Sequence, residues 1–182
     1  MCKNLSLILA IYLFNQTEAS GQEKSSDPDV RYEKAVMGFG FGFDYGGIGV
    51  NLTGYPQKNI GIFAGAGYAF AGKGFNAGIK LRLVSNSHFT PFLIAMYGYN
   101  AAITVADNPS YNKLFYGPSA GLGFDIGSHA VNKGNFSFAI FVPFRSPDVN
   151  NYINELHNTY GVQFKNSLPP IGFSLGYKFI IY

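Results

Sequence analysis

From Ala35 to Tyr182 the apolar residues recur at every second position, in eight separate segments. A period of two is the mark of a strand with two unlike faces. The first segment, Ala35 to Asp44, puts Met37, Phe39, Phe41 and Phe43 on one face and Gly38, Gly40, Gly42 and Asp44 on the other. The second, Ile48 to Tyr55, sets Ile48, Val50 and Leu52 against Gly49, Asn51 and Thr53. The third, Ile60 to Phe70, sets Ile60, Ile62 and Tyr68 against Gly61, Phe63, Gly65 and Gly67. The fourth, Phe75 to Val84, alternates most cleanly, with Phe75, Ile79, Leu81 and Leu83 against Asn76, Gly78, Lys80 and Arg82. The fifth, about Phe89 to Ala101, is apolar on both faces through "FLIAMY" and gives no parity. The sixth (about Phe115 to Ile126), seventh (Asn135 to Phe144) and eighth (Ile171 to Tyr182) alternate again, with Ser119, Asp125, Ser137, Ser174 and Lys178 on the non-aromatic face.

Turns are expected at "YGG", "PQKN", "AGKG", "SNSH" and "GSHAVNKG", and longer connections at Ala102–Leu114 and Arg145–Pro170. The last of these breaks the period. Val149, Tyr152, Ile153 and Leu156 stand at i, i+3, i+4 and i+7, which predicts a short helix within Ser146–Gly161. Ser146 suits its N-cap and Pro147 its first position. Its apolar stripe is expected to pack on the rim of the sheet.

The two faces pose a problem of solvent. In a half-buried sheet the apolar face packs inward and the polar face meets water. Here 47% of the residues are hydrophobic and only 13% charged, against about a quarter in ordinary domains. No helical layer is available to cover so much aromatic sheet. A two-sheet sandwich would bury it, but would leave an outer surface of glycine with few charges. A transmembrane β-barrel resolves the conflict: lipid covers the apolar face, and closure pairs every backbone group. The expected fold is therefore all-β, an eight-stranded antiparallel up-and-down transmembrane β-barrel with a short helix in its last extracellular loop. Eight strands enclose an interior that side chains just fill. Charges facing lipid are costly, so Asp44, Lys80, Arg82, Asp125 and Lys178 are expected to form a lumenal network with a structural role. An even strand count puts both chain ends on the periplasmic side and the two longest loops outside.

The N-terminus reads as an export signal over residues 1–21. Lys3 precedes the apolar run "LSLILAIYLF", which is too short to span a bilayer as a helix, and "ASG" offers a cleavage site before Gln22. The single cysteine, Cys2, would leave with it, so no thiol or disulfide is expected in the mature chain. Residues 22–34 read as a flexible periplasmic lead-in to a barrel over residues 35–182. The net charge of +3 is scattered, with no basic stripe, and nucleic acid is not an expected partner.

Candidate chemistry is sparse. His88, His129 and His157 each fall in a predicted loop without metal-ligand spacing. Ser128 and His129 are adjacent in sequence, which is not how a nucleophile and its base are arranged. "GAGYAFAGKG" and "GLGFDIG" lack the following helix, and the first lacks the Ser or Thr, that a phosphate loop needs. No catalytic residue, cofactor or metal is expected.

The strand "FYGPSAGLGFDIG", the run "FVPFRSPDVNNYINELHN" followed by "FKNSLPPIGFSLGYKF", and an aromatic-rich C-terminus closing on Tyr182 together resemble small outer-membrane β-barrel proteins of Bacteroidota type, porin-like in domain character. The resemblance covers about Ala35 to Tyr182. It implies residence in a Gram-negative type outer membrane, with outer-membrane lipid as surroundings and the barrel-assembly machinery as a partner during biogenesis. It also implies that Tyr177, Phe179 and Tyr182 belong to a C-terminal assembly signal, although Tyr182 lies on the opposite parity to Tyr177 and Phe179. The function expected is non-catalytic, either envelope-structural or binding through the loops to an unidentified extracellular partner. The alternatives are a soluble secreted barrel holding an apolar ligand and a lipid-modifying outer-membrane enzyme.

Overall fold

The computed structural model describes residues 34–83, 88–105, 108–127, 133–163 and 168–181. The expected signal segment, nearly all of the lead-in, His129 and Tyr182 lie outside them. The eight strands are β1 Ala35–Gly42, β2 Gly47–Gln57, β3 Ile60–Tyr68, β4 Lys73–Arg82, β5 Phe89–Ile103, β6 Lys113–Gly127, β7 Gly134–Pro143 and β8 Gly172–Ile180. Each pairs antiparallel with its neighbours in sequence, and β1 pairs with β8 to close the barrel. The eight strands, their up-and-down order and the closure match the sequence reading.

The parities also match on the strands where the alternation was clear. Phe39, Val50, Ile62, Ile79, Leu122, Phe136 and Phe173 point outward. Asn51, Phe63, Lys80, Asp125, Ser137 and Lys178 point inward. On β5, Leu93 and Tyr97 face out while Phe92, Ile94 and Met96 face in. These three join Phe63, Ala139 and Phe141 in a packed apolar layer inside the barrel. An interior apolar layer is why β5 looked apolar on both faces.

Most strand boundaries differ from the sequence reading by one or two residues, among them β4, which begins at Lys73 inside the expected turn "AGKG", and two of the differences bear on the site. β2 runs through Pro56 to Gln57, so "PQKN" turns only at its last two residues. β1 ends at Gly42 rather than Asp44, and the reason lies in the next three residues. Gly42 takes φ 121°, a conformation open to glycine but strained for other residues. The chain then folds Phe43–Tyr45 as one 3-10 turn into the barrel instead of continuing up the wall. Phe43, expected on the outer face, packs inside against Tyr99 and Phe141, with ring centroids 5.4 and 5.8 Å away.

The wall is uneven. β5 and β6 extend as a hairpin to Ile103 and Lys113, five residues beyond the last β4–β5 pair at Gly98. The expected helix is α1, Asp148–Tyr160, between β7 and β8. The Ser146 hydroxyl accepts from the Asp148 N–H at 3.2 Å, and Gly161 closes the C-terminus at φ 67°. Val149 and Leu156 are buried with Ala101, Ile103 and Phe115 of the tall hairpin, with Tyr152 and Ile153 beside them. The amphipathic stripe thus packs on the high side of the rim.

Candidate functional site

The interior is built in layers. At the end where β1 begins and β8 finishes, Val36, Tyr55 and Ile180 cluster, and the Arg82 guanidinium lies over the Tyr55 ring at 4.4 Å. Above them is a charged layer. Lys80 Nζ donates to Asp125 Oδ2 at 2.7 Å, with the residues 1% and 2% exposed. Lys178 Nζ stands 4.0 Å from Asp44 Oδ2. The Phe92 ring lies under Lys80 at 3.6 Å, so one face of the ammonium rests on π-electrons rather than on an orphaned space. All five residues expected in the lumen are inside. Lys80 and Asp125 form one ion pair and Lys178 and Asp44 a second, while Lys80 and Arg82 each also lie over an aromatic ring.

The inturned segment Phe43–Tyr45 caps this layer. A turn buried in a barrel needs partners for its backbone, and the wall supplies them. Asn51 Nδ2 donates to the Asp44 carbonyl at 2.7 Å and Asn76 Nδ2 to the Phe43 carbonyl. The Asp44 N–H donates to Ser174 Oγ at 3.3 Å, and the Tyr99 hydroxyl to the Gly42 carbonyl at 3.4 Å. Tyr45, 0% exposed, lies across the lumen. A Cβ on Gly40 would come within 3.0 Å of the Tyr45 ring, one on Gly38 within 3.4 Å, and one on Gly176 would collide with the Tyr45 hydroxyl. Gly65 and Gly49 likewise sit directly against the Asp44 and Tyr45 carbonyls. The glycines of β1, β2, β3 and β8 form the cradle of this turn. Asn51, Asn76, Ser174 and Tyr45 were not read as site residues from the sequence. The signal was present as the crowding of inward glycines toward one end of the barrel, which leaves a volume that something must fill.

Among the described residues the interior is filled by these side chains layer by layer, as an eight-stranded wall allows. Above the inturned segment is a mouth. It opens toward the low side of the wall, where β8, β1 and β2 end in Gly172, Gly42 and Gly47. A cavity of about 930 Å³ continues from Phe43, Tyr99 and Asn100 over this edge onto the outer face beside Phe41, Phe173 and Tyr177. Arg145 stands at its rim, donating from Nη2 to the Pro169 carbonyl at 2.7 Å and from Nε to the Asn100 carbonyl at 3.3 Å. Burial pulls the Arg145 pKa below its ordinary value.

His88 precedes β5 at the end of the barrel where β1 begins, and His157 lies on α1 at the other end. Both are exposed, and His157 Nδ1 is 3.1 Å from Asn158 Oδ1. Among the described residues no group of three or more His, Cys, Asp or Glu could hold a metal ion. Tyr177 and Phe179 lie on the outer face of β8, their rings 4.8 Å apart and both near Phe39. No family model matches this chain, and no curated protein or solved structure matches it.

Proposed function

We propose that this chain is a non-catalytic outer-membrane β-barrel of the small Bacteroidota type that its sequence resembles, with an envelope-structural role or a binding role carried by the β5–β6 hairpin and α1. One observation carries the reading: the inversion of faces on β4. Ile79 and Leu81 are 51% and 47% exposed on the outside, while Lys80 between them is sealed inside. The same inversion recurs around the closed wall, so the outer surface is a continuous belt of Phe, Ile, Leu and Val. In water such a belt would far exceed the apolar patch that a soluble monomer carries. In a bilayer it is the expected outer surface, and closure leaves no strand edge unpaired in lipid. Among the described residues no helix is long and apolar enough to cross a membrane, so a crossing made by those residues would be made by strands.

A soluble barrel holding an apolar ligand would need the opposite arrangement, with aromatics inside and the glycine face outside. The loop-binding role is supported by the built character of the high rim. Val149 and Leu156 fix α1 to the β5–β6 hairpin, and Tyr152 donates from its hydroxyl to the Tyr111 carbonyl at 2.8 Å. The helix therefore presents a fixed polar face that includes Asn150, Asn154 and Glu155.

Cell fractionation tests this reading. The protein is expected in the outer-membrane fraction, extracted only by detergent, and with a shifted gel mobility after boiling. Recovery as a soluble periplasmic protein would refute it.

A further inference from the structure

We infer that the low side of the barrel binds one long-chain fatty carboxylate, its chain in the outer groove along β8, β1 and β2 and its carboxylate on Arg145. The inference rests on the membrane-barrel reading and adds a ligand to it. Three observations carry it.

The first is the shape of the wall. β5 and β6 stand tall and are covered by α1, whereas β8, β1 and β2 stop short in glycine. The mouth of the barrel is thereby joined to the outer, lipid-type surface through one cavity. From Tyr177 to Gly172 the groove follows five steps of strand, about 17 Å. That is close to one leaflet of a bilayer core of about 30 Å, so a chain lying in the groove stays at the depth it has in the membrane. A cavity of this size suits a single small ligand.

The second is the polarity gradient along it. Phe41, Phe173 and Leu175 line the outer stretch, and Leu168 and Pro169 the rim. Charge enters only at Arg145. An amphiphile matches this order from tail to head.

The third is the state of Arg145. Its two hydrogen bonds go to neutral carbonyls, and among the described residues no carboxylate is within ion-pair distance. Among the described residues three of the five guanidinium N–H groups have no partner. A single arginine balances one negative charge, as a carboxylate carries, and pairs with it in a planar fork. Asn100, buried at the mouth, spends its Nδ2 on the Pro118 and Phe144 carbonyls, which leaves Oδ1 without a donor among the described residues. As an acceptor it makes no bond to a carboxylate, so the head of the ligand is held by Arg145 alone.

Native mass spectrometry of the folded barrel in neutral detergent, titrated with oleate, oleyl alcohol and phosphatidylglycerol, tests the inference. One oleate per barrel is expected, with oleyl alcohol at least ten-fold weaker, since a hydrogen bond to a charged group contributes about 1.5–3 kcal/mol. Arg145→Gln should weaken oleate by a similar factor and Arg145→Lys by less. Ala102→Trp, which fills the groove at the mouth, should abolish binding while boiling still shifts its gel mobility. Equal binding of oleate and its alcohol, an unchanged affinity in Arg145→Gln, unsaturable binding of many copies, or preference for phosphatidylglycerol would each overturn it. A barrel that folds in detergent but binds nothing overturns this inference alone. A protein that is soluble without detergent overturns the membrane reading beneath it.

Discussion

Replacing Lys80 with methionine is expected to destabilise the barrel by about 3–5 kcal/mol, because it leaves the Asp125 carboxylate buried without its cation. This is a large part of the roughly 5–15 kcal/mol that holds a folded domain together. Asp125→Leu should cost a similar amount by stranding the ammonium of Lys80. Lys178 acts on Asp125 through space, but its ion-pair partner is Asp44, at 4.0 Å, so it offsets only part of the loss. The double variant, Lys80→Met with Asp125→Leu, should recover most of the loss, because both charges are then absent and apolar groups of similar volume take their place. Urea unfolding in detergent micelles, followed by gel mobility without boiling, reads all three. Single variants as stable as the parent would show that the pair is not the buried contact described here.

The second large effect concerns Tyr45. Truncation to alanine should cost about 3–5 kcal/mol, the range for removing a buried aromatic ring whose site cannot collapse. The walls around it are strands closed into a ring, and the glycines that cradle it bring no side chains to fill the space. Tyr45→Phe should be neutral or mildly stabilising, since the hydroxyl has no hydrogen-bond partner among the described residues and its burial is a cost. The same unfolding assay separates the two substitutions. A Tyr45→Ala barrel of unchanged stability would mean that the inturned segment is decoration on the lumen rather than its filling.

These two effects mark where the sequence was legible and where it was not. The eight strands and their parities could be read because the faces meet unlike surroundings, so Phe75, Ile79 and Leu81 alternate with Asn76, Lys80 and Arg82 without exception. Lys80, Arg82, Asp125 and Lys178 followed from the same alternation. β5 was not legible because Phe92, Ile94 and Met96 build an apolar layer inside a polar lumen, so neither face of that strand looks different from the other. The inturned segment was hidden for another reason. The period of two continues through Phe43 and Asp44, and periodicity carries no record of the positive φ at Gly42 that turns the chain inward. Asp44 is consequently inside by virtue of the turn rather than of strand parity. α1 was legible because its stripe matches the helical period, but its docking partner, the extended end of the β5–β6 hairpin, was not. That extension depends on strand register, with a bulge between Tyr99 and Ala101 that shifts the pairing by one.

The glycine-rich first strand takes its meaning from both observations. Phe39 and Phe41 stand outward on the belt, and Gly38 and Gly40 lie under the ring of Tyr45, which the end of the same strand delivers into the lumen. One hairpin therefore supplies part of the outer surface, part of the cradle and the filling of the interior.

Spin-label accessibility in a reconstituted bilayer reads out whether the outer belt lies against lipid. Labels would be placed singly at Ile79 and Leu122 on the belt and at Asn154 on the exposed face of α1, in a chain without Cys2. The first two labels should collide readily with oxygen and hardly at all with a water-soluble nickel chelate, and the label at Asn154 should show the reverse. Nickel access at Ile79 and Leu122 equal to that at Asn154 would contradict the account.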